Sequence, residues 1–112
     1  VEIGDGTLIA SRVFIGDTSH GIYKGETASD IEIPPNKREI VSEDIHIGKN
    51  VWIGENVSIL QGVSLGDGCI VGANSVVTRS FPEGCMLVGS PAKIIKRYND
   101  KTKQWEKDKG NE

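Results

Sequence analysis

Two histidines are the only side chains in this sequence whose ordinary pKa lies near neutrality, which makes them its natural general bases. His20 stands in Asp17-Thr18-Ser19-His20-Gly21, with an aspartate three residues ahead of it. A carboxylate so placed orients an imidazole or raises its basicity. An aspartate also suits a chain corner for turn reasons alone, so Asp17 fits either role. His46 is the second imidazole, and it lies within a stretch of regular apolar spacing. Cys69 and Cys85 form no CxxC pair, and two thiols with two imidazoles do not make a zinc ligand set, so no metal is expected. Cys69 falls at a periodic apolar position and reads as an inert core thiol. Cys85 follows Pro82 with no histidine close in sequence to activate it.

The elements that position these residues follow from composition and period. A chain of 112 residues has room for one small domain. Thirteen basic against sixteen acidic residues leave a net charge of −3, which excludes the polycationic footprint of a nucleic-acid binder. No apolar run approaches the roughly 18 residues of a membrane span, and no signal-peptide pattern opens the chain. A cytoplasmic protein with reduced thiols is expected. The sequence begins at Val1 and not at Met, so it reads as a piece of a longer protein. Isoleucine and valine number 24 against eight leucines and alanines, a balance that favours strand over helix.

Steps of six residues from Val41 reach Ile47, Ile53, Ile59, Leu65, Val71 and Val77, all aliphatic, and the same frame holds at Ile3, Ile9 and Ile15. Four residues after each comes a mostly small or β-branched side chain, such as Val51, Val57, Val63 and Cys69. Two inward residues about one outward residue make a short strand, as in Val51-Trp52-Ile53. The dipeptides between strands (Asp5-Gly6, Lys49-Asn50, Glu55-Asn56, Gln61-Gly62, Asp67-Gly68, Ala73-Asn74) carry the residues that accept positive φ. Three six-residue units close one eighteen-residue coil, which predicts an all-β, triangular parallel β-helix. In it Ile47 stacks on Leu65, Ile53 on Val71, and Trp52 faces outward beside Ile70.

The β-helix is expected over 1–95, with a loop inserted at 21–40 where Gly21, Gly25, Pro34 and Pro35 break the frame. The frame ends at Pro82, and 96–112 is a charged tail, a short helix or an extended arm, with Trp105 marking something it docks on.

Three stretches, VWIG at 51–54, GANSVVTRSFP at 72–82 and VGSPAKIIKRYN at 88–99, resemble the hexapeptide-repeat acyltransferases. The likeness is greatest to the sugar and polysaccharide O-acetyltransferases of the maltose and galactoside acetyltransferase branch. It implies a left-handed coil, a homotrimer with active sites between subunits, and acetyl-coenzyme A (acetyl-CoA) as donor. The chain has about three and a half coils, and lacks those that usually precede the catalytic histidine in that family. DxxHG at 17–21 resembles the segment carrying that histidine, which makes His20 the base. The resemblance places Trp52 beside the acetyl group, where it also suits a trimer contact. Gly72, Ala73 and Ser90 would provide a groove of small side chains for pantetheine. Thr78, Arg79, Lys93 and Lys96 match the family's hydroxyl and cationic positions for the phosphates. A zinc enzyme of this fold, such as a β-helical carbonic anhydrase, needs three histidines at an interface, and only two are present.

These residues together point to transfer of an acetyl group from acetyl-CoA to a hydroxyl of a sugar or glycan, with His20 as general base. Alternatives are an acyltransferase of the same fold acting on serine, an amino sugar or an antibiotic, and a non-catalytic β-helical scaffold subunit.

Overall fold

The computed structural model describes residues 1–109. Over these the chain is all-β, with one short 3-10 turn at Pro35–Lys37. The strands are β1 (Glu2–Ile3), β2 (Leu8–Ile9), β3 (Phe14–Ile15), β4 (Thr18–His20), β5 (Ile40–Ser42), β6 (His46–Ile47), β7 (Trp52–Ile53), β8 (Ser58–Ile59), β9 (Ser64–Leu65), β10 (Ile70–Val71), β11 (Val76–Val77), β12 (Cys85–Gly89), β13 (Ala92–Asn99) and β14 (Gln104–Lys107). From β6 to β11 successive strands join three sheets in rotation, so the chain winds around a three-faced prism of parallel strands.

The register follows the repeat. His46 pairs with Ser64, Trp52 with Ile70 and Ser58 with Val76, and each pair is separated by three six-residue units (64 − 46, 70 − 52, 76 − 58). Every aliphatic of the six-residue frame from Ile47 to Val77 is buried, and Ile45, Val51, Val57, Val63 and Cys69 fill the space between them. Corners turn where the dipeptides place them: Asn50, Asn56 and Asn74 have φ of 56°, 59° and 64°. Asn56 Nδ2 donates to Asn74 Oδ1 at 2.8 Å, so stacked corners bond along the prism as the strands do. Gly54 has a steric reason as well, since a Cβ there would lie 2.8 Å from the Val71 carbonyl oxygen and 2.9 Å from the Ala73 nitrogen.

Three features depart from the simple frame. The first coil pairs with the second across the whole insertion, Leu8 with Trp52. The insertion grows from an antiparallel stem, β4 with β5, in which Ser19 opposes Val41 and His20 opposes Ile40. Val41 therefore belongs to the stem and is only half-buried, not a member of the core. Ile3 and Ile9, inward by the frame, are 47% and 36% exposed, because β1 and β2 are edge strands with a neighbour on one side only.

At the other end the winding does not stop at Pro82. The corner between Val77 and Phe81 is two residues short, so that Leu65 bridges to Phe81 and not to Glu83, Ile70 pairs with Met86 and not with Val88, and β12 continues the sheet. β13 then returns antiparallel and β14 returns again, so the six-stranded sheet runs β14-β13-β12-β10-β7-β2. β13 spans both sides of position 95, and the charged stretch after it is a hairpin, not a helix, with Trp105 opposite Tyr98. Their rings meet edge to face at 5.4 Å. Residues 110–112 of the expected tail lie outside the described residues.

Candidate functional site

One row of outward side chains crosses the six-stranded sheet. Register places Leu8 beside Trp52, Trp52 beside Ile70, Ile70 beside Met86, Met86 beside Lys96 and Lys96 beside Lys107. The row is apolar over four strands and cationic over the last two. Outward residues of parallel coils must stack this way, because each coil repeats the same inward and outward pattern.

Along this row lies a cleft of about 530 Å³ whose walls include Ala10, Trp52, Ile70, Gly72, Ala73, Met86 and Val88. Trp52 is 53% exposed, an unusual state for the largest apolar side chain. Gly72 keeps the floor open: a Cβ there would come within 3.0 Å of Val88 Cγ2. The cleft thus joins three of the residues expected to form a site, Trp52, Gly72 and Ala73. On the neighbouring strand Lys93 pairs with Val88 and Lys96 with Met86, so two expected cations flank its edge, both exposed. Ser90 precedes Pro91 in the turn between β12 and β13. Met86 and Val88 were not expected from sequence, because they lie beyond the point where the six-residue frame shortens.

Thr78 and Arg79 occupy the corner after β11 and do not line the cleft. The Arg79 guanidinium carbon stands 4.2 Å above the centroid of Phe81, which fixes the side chain by a cation–π contact.

His20 belongs to the insertion stem and also stands apart from the cleft walls. It is exposed, on the face of the stem that carries Ile40. The Tyr23 hydroxyl donates to the His20 carbonyl oxygen, and Arg38 Nη1 donates to that hydroxyl at 2.9 Å. The opposite face of the stem holds a pocket of about 260 Å³ lined by Ser19, Gly21, Tyr23, Lys24, Glu43 and Gln61. The Asp17 backbone carbonyl accepts from Glu43 N–H at 2.9 Å. His46 has a partner of its own, Glu2, whose Oε2 is 3.6 Å from His46 Nδ1.

The two thiols are buried and chemically quiet. Desolvation raises the Cys69 pKa above its ordinary 9.0. Desolvation raises Cys85 as well, against a smaller opposing pull from Arg97. Among the described residues no group of three or more His, Cys, Asp or Glu side chains is placed to hold a metal ion. No helix among them is long and apolar enough to cross a membrane.

Residues 44–79 match the bacterial transferase hexapeptide (six repeats) family. The chain is 53% identical over 108 residues to the putative lipopolysaccharide biosynthesis O-acetyl transferase WbbJ of Escherichia coli K12, covering 96% of this chain and 55% of that protein. It is similar to the structure of a galactoside acetyltransferase in complex with coenzyme A, with TM-score 0.74, 36% identity, and coverage of 96% of this chain and 50% of the other. It is also similar to a maltose O-acetyltransferase from Clostridium difficile 630, with TM-score 0.75, 35% identity, and coverage of 88% and 49%. The chain spans about half the length of the curated relatives it matches. Repeat, register and likeness agree, and the chain is a hexapeptide-repeat protein related to the hexapeptide-repeat O-acetyltransferases.

Proposed function

We propose that this chain is the donor-binding and catalytic part of an acetyl-CoA-dependent O-acetyltransferase whose acceptor is a hydroxyl of a sugar or glycan. The observation that carries the reading is the cleft: an apolar trough with an exposed tryptophan, floored by Gly72 and Ala73 and edged by Lys93 and Lys96. An extended thioester with anionic phosphates at one end needs that distribution of apolar, small and cationic groups. Ser90, Thr78 and Arg79 are proposed as further coenzyme contacts outside the cleft walls of the same chain. The frame belongs to a left-handed β-helix with three six-residue units per coil, a coil length that the pairing of Trp52 with Ile70 supports.

His20 is the general base. It takes the proton of the acceptor hydroxyl as the oxygen attacks the acetyl carbonyl carbon; the carbon–sulfur bond breaks and the departing thiolate receives the proton back from the imidazolium. Asp17 and Trp52 assist, by orienting the imidazole and bordering the acetyl group. His20 and the cleft are apart within one chain, which supports a homotrimer in which the His20 of one subunit meets the cleft of the next. The proposed location is the cytoplasm, where the donor is available.

Calorimetric titration with acetyl-CoA tests the donor: saturable binding near one site per chain is expected, and a folded trimer that binds none would overturn the reading. His20→Ala should retain that binding and lose transfer by about 10²–10⁴-fold, the usual contribution of a general base. An ester product, cleaved by mild base, separates a hydroxyl acceptor from an amine.

A further inference from the structure

Hydrogen bonds from within the insertion gather on the backbone at its start, His20 to Ile22. Arg38 is the hub. Its Nε donates to the Ile33 carbonyl at 2.7 Å, its Nη2 reaches the Ile31 carbonyl at 3.5 Å, and its Nη1 donates to Tyr23 Oη at 2.9 Å. Its guanidinium also lies 5.9 Å from the Tyr23 ring centroid. Tyr23 passes the link on, donating its own hydroxyl proton to the His20 carbonyl oxygen. A tyrosine hydroxyl that accepts from a guanidinium is a better donor in turn, so the two bonds strengthen one another. Gly21 makes the approach possible: it is buried, its φ is +121°, and a Cβ would lie 2.6 Å from Tyr23 Oη. Ser29 closes the loop on the same spot, with its Oγ accepting from Ile22 N–H at 2.9 Å and its own N–H donating to the Ile22 carbonyl at 2.6 Å.

None of these groups is required to hold the β-helix, whose ladder runs through other residues. Their common target is the segment His20-Gly21-Ile22. We infer that Tyr23 and Arg38 are positioning residues for His20: they fix the backbone from which its imidazole projects, so that the ring is presented in one orientation on an otherwise exposed hairpin. This rests on the reading of His20 as the base. It goes beyond that reading by giving the inserted loop a specific task.

The test uses the fact that the chain has only two histidines, so its imidazole Hε1 protons give two resonances in proton NMR, assigned by His20→Ala. In Tyr23→Phe, and in Arg38→Gln, the His20 resonance should shift or broaden while that of His46 stays in place and acetyl-CoA affinity stays within about twofold. A His20 resonance unchanged in both variants would overturn the inference. Turnover supplies a second arm, with methyl β-galactoside as acceptor probe and thiol release as readout. Tyr23→Phe should lower kcat about tenfold with the KM for acetyl-CoA unchanged. In the His20→Ala background the same substitution should have no further effect; an equal further loss there would show that Tyr23 does not act through His20. If His20→Ala leaves turnover unchanged, the base assignment fails, and the resonance test of Tyr23 and Arg38 still stands separately.

Discussion

Trp52 is half exposed because Val51 and Ile53 on either side of it are drawn wholly into the core. A strand residue between two inward neighbours has no choice but to face out. Replacing it by alanine should leave folding intact and weaken acetyl-CoA binding about tenfold or more by calorimetry, since the ring forms a wall of the cleft. Buried thiols give a prediction of another kind. Both Cys69 and Cys85 ionise at higher pH in the folded protein than the ordinary 9.0 they regain on unfolding. The stability they lend is therefore complete below about pH 9 and is lost as pH rises through their folded values. Thermal denaturation from pH 8 to pH 10.5 should show a falling midpoint, and Cys69→Ala should make that fall shallower. At this scale sequence was informative where chemistry is local. Trp52, Gly72 and Ala73 came together as a groove, and Cys69 was recognisable as core. Tyr23 and Arg38 were not legible as partners, because a bond between residues fifteen apart in an aperiodic loop leaves no spacing to read.

The elements repeat, so a fault in one corner is resisted by the coil above it. Gly54→Ala would push a methyl group against the Val71 carbonyl and the Ala73 nitrogen, backbone atoms that cannot turn aside. Overpacking of that kind costs about 1–3 kcal/mol, and the denaturation midpoint should drop by roughly 4–8 °C per kcal/mol. Gly68→Ala is the useful comparison, for no atom stands within 4 Å of its Cβ position and only its φ of +72° opposes the change. The six-residue frame predicted β6 to β11 because each strand there has the same two inward neighbours. It lost β12 to β14 for a physical reason: two residues are dropped at the corner between Val77 and Phe81, which shifts β12 out of frame, and β13 and β14 then pair antiparallel. Charge completed the disguise. Lys96, Arg97, Lys101, Lys103 and Lys107 read as a charged tail, yet charge is what a sheet places on its last strands to discourage pairing with another chain.

The whole molecule is an elongated prism, 54 × 30 × 20 Å, with unlike ends. Leu8 and Phe14 are 63% and 58% exposed on the first coil, near the partly exposed Ile3 and Ile9. The outward Leu8 and Phe14, on two neighbouring faces of the prism, are apolar groups that association would cover. Sedimentation equilibrium should give three chains per particle, and the thermal midpoint should rise with protein concentration. A monomer at all concentrations would remove the intersubunit site. The cleft also has a bearing on how it comes into being. Its row takes Leu8 from one end of the sequence, Trp52, Ile70 and Met86 from the middle, and Lys107 from near the other end. No two neighbours in it can meet until an intervening coil or turn has wound. During synthesis the tryptophan wall would be laid down first and the cationic rim last. A ribosome-bound chain would therefore have the core of these coils before the cationic edge of the cleft was in place.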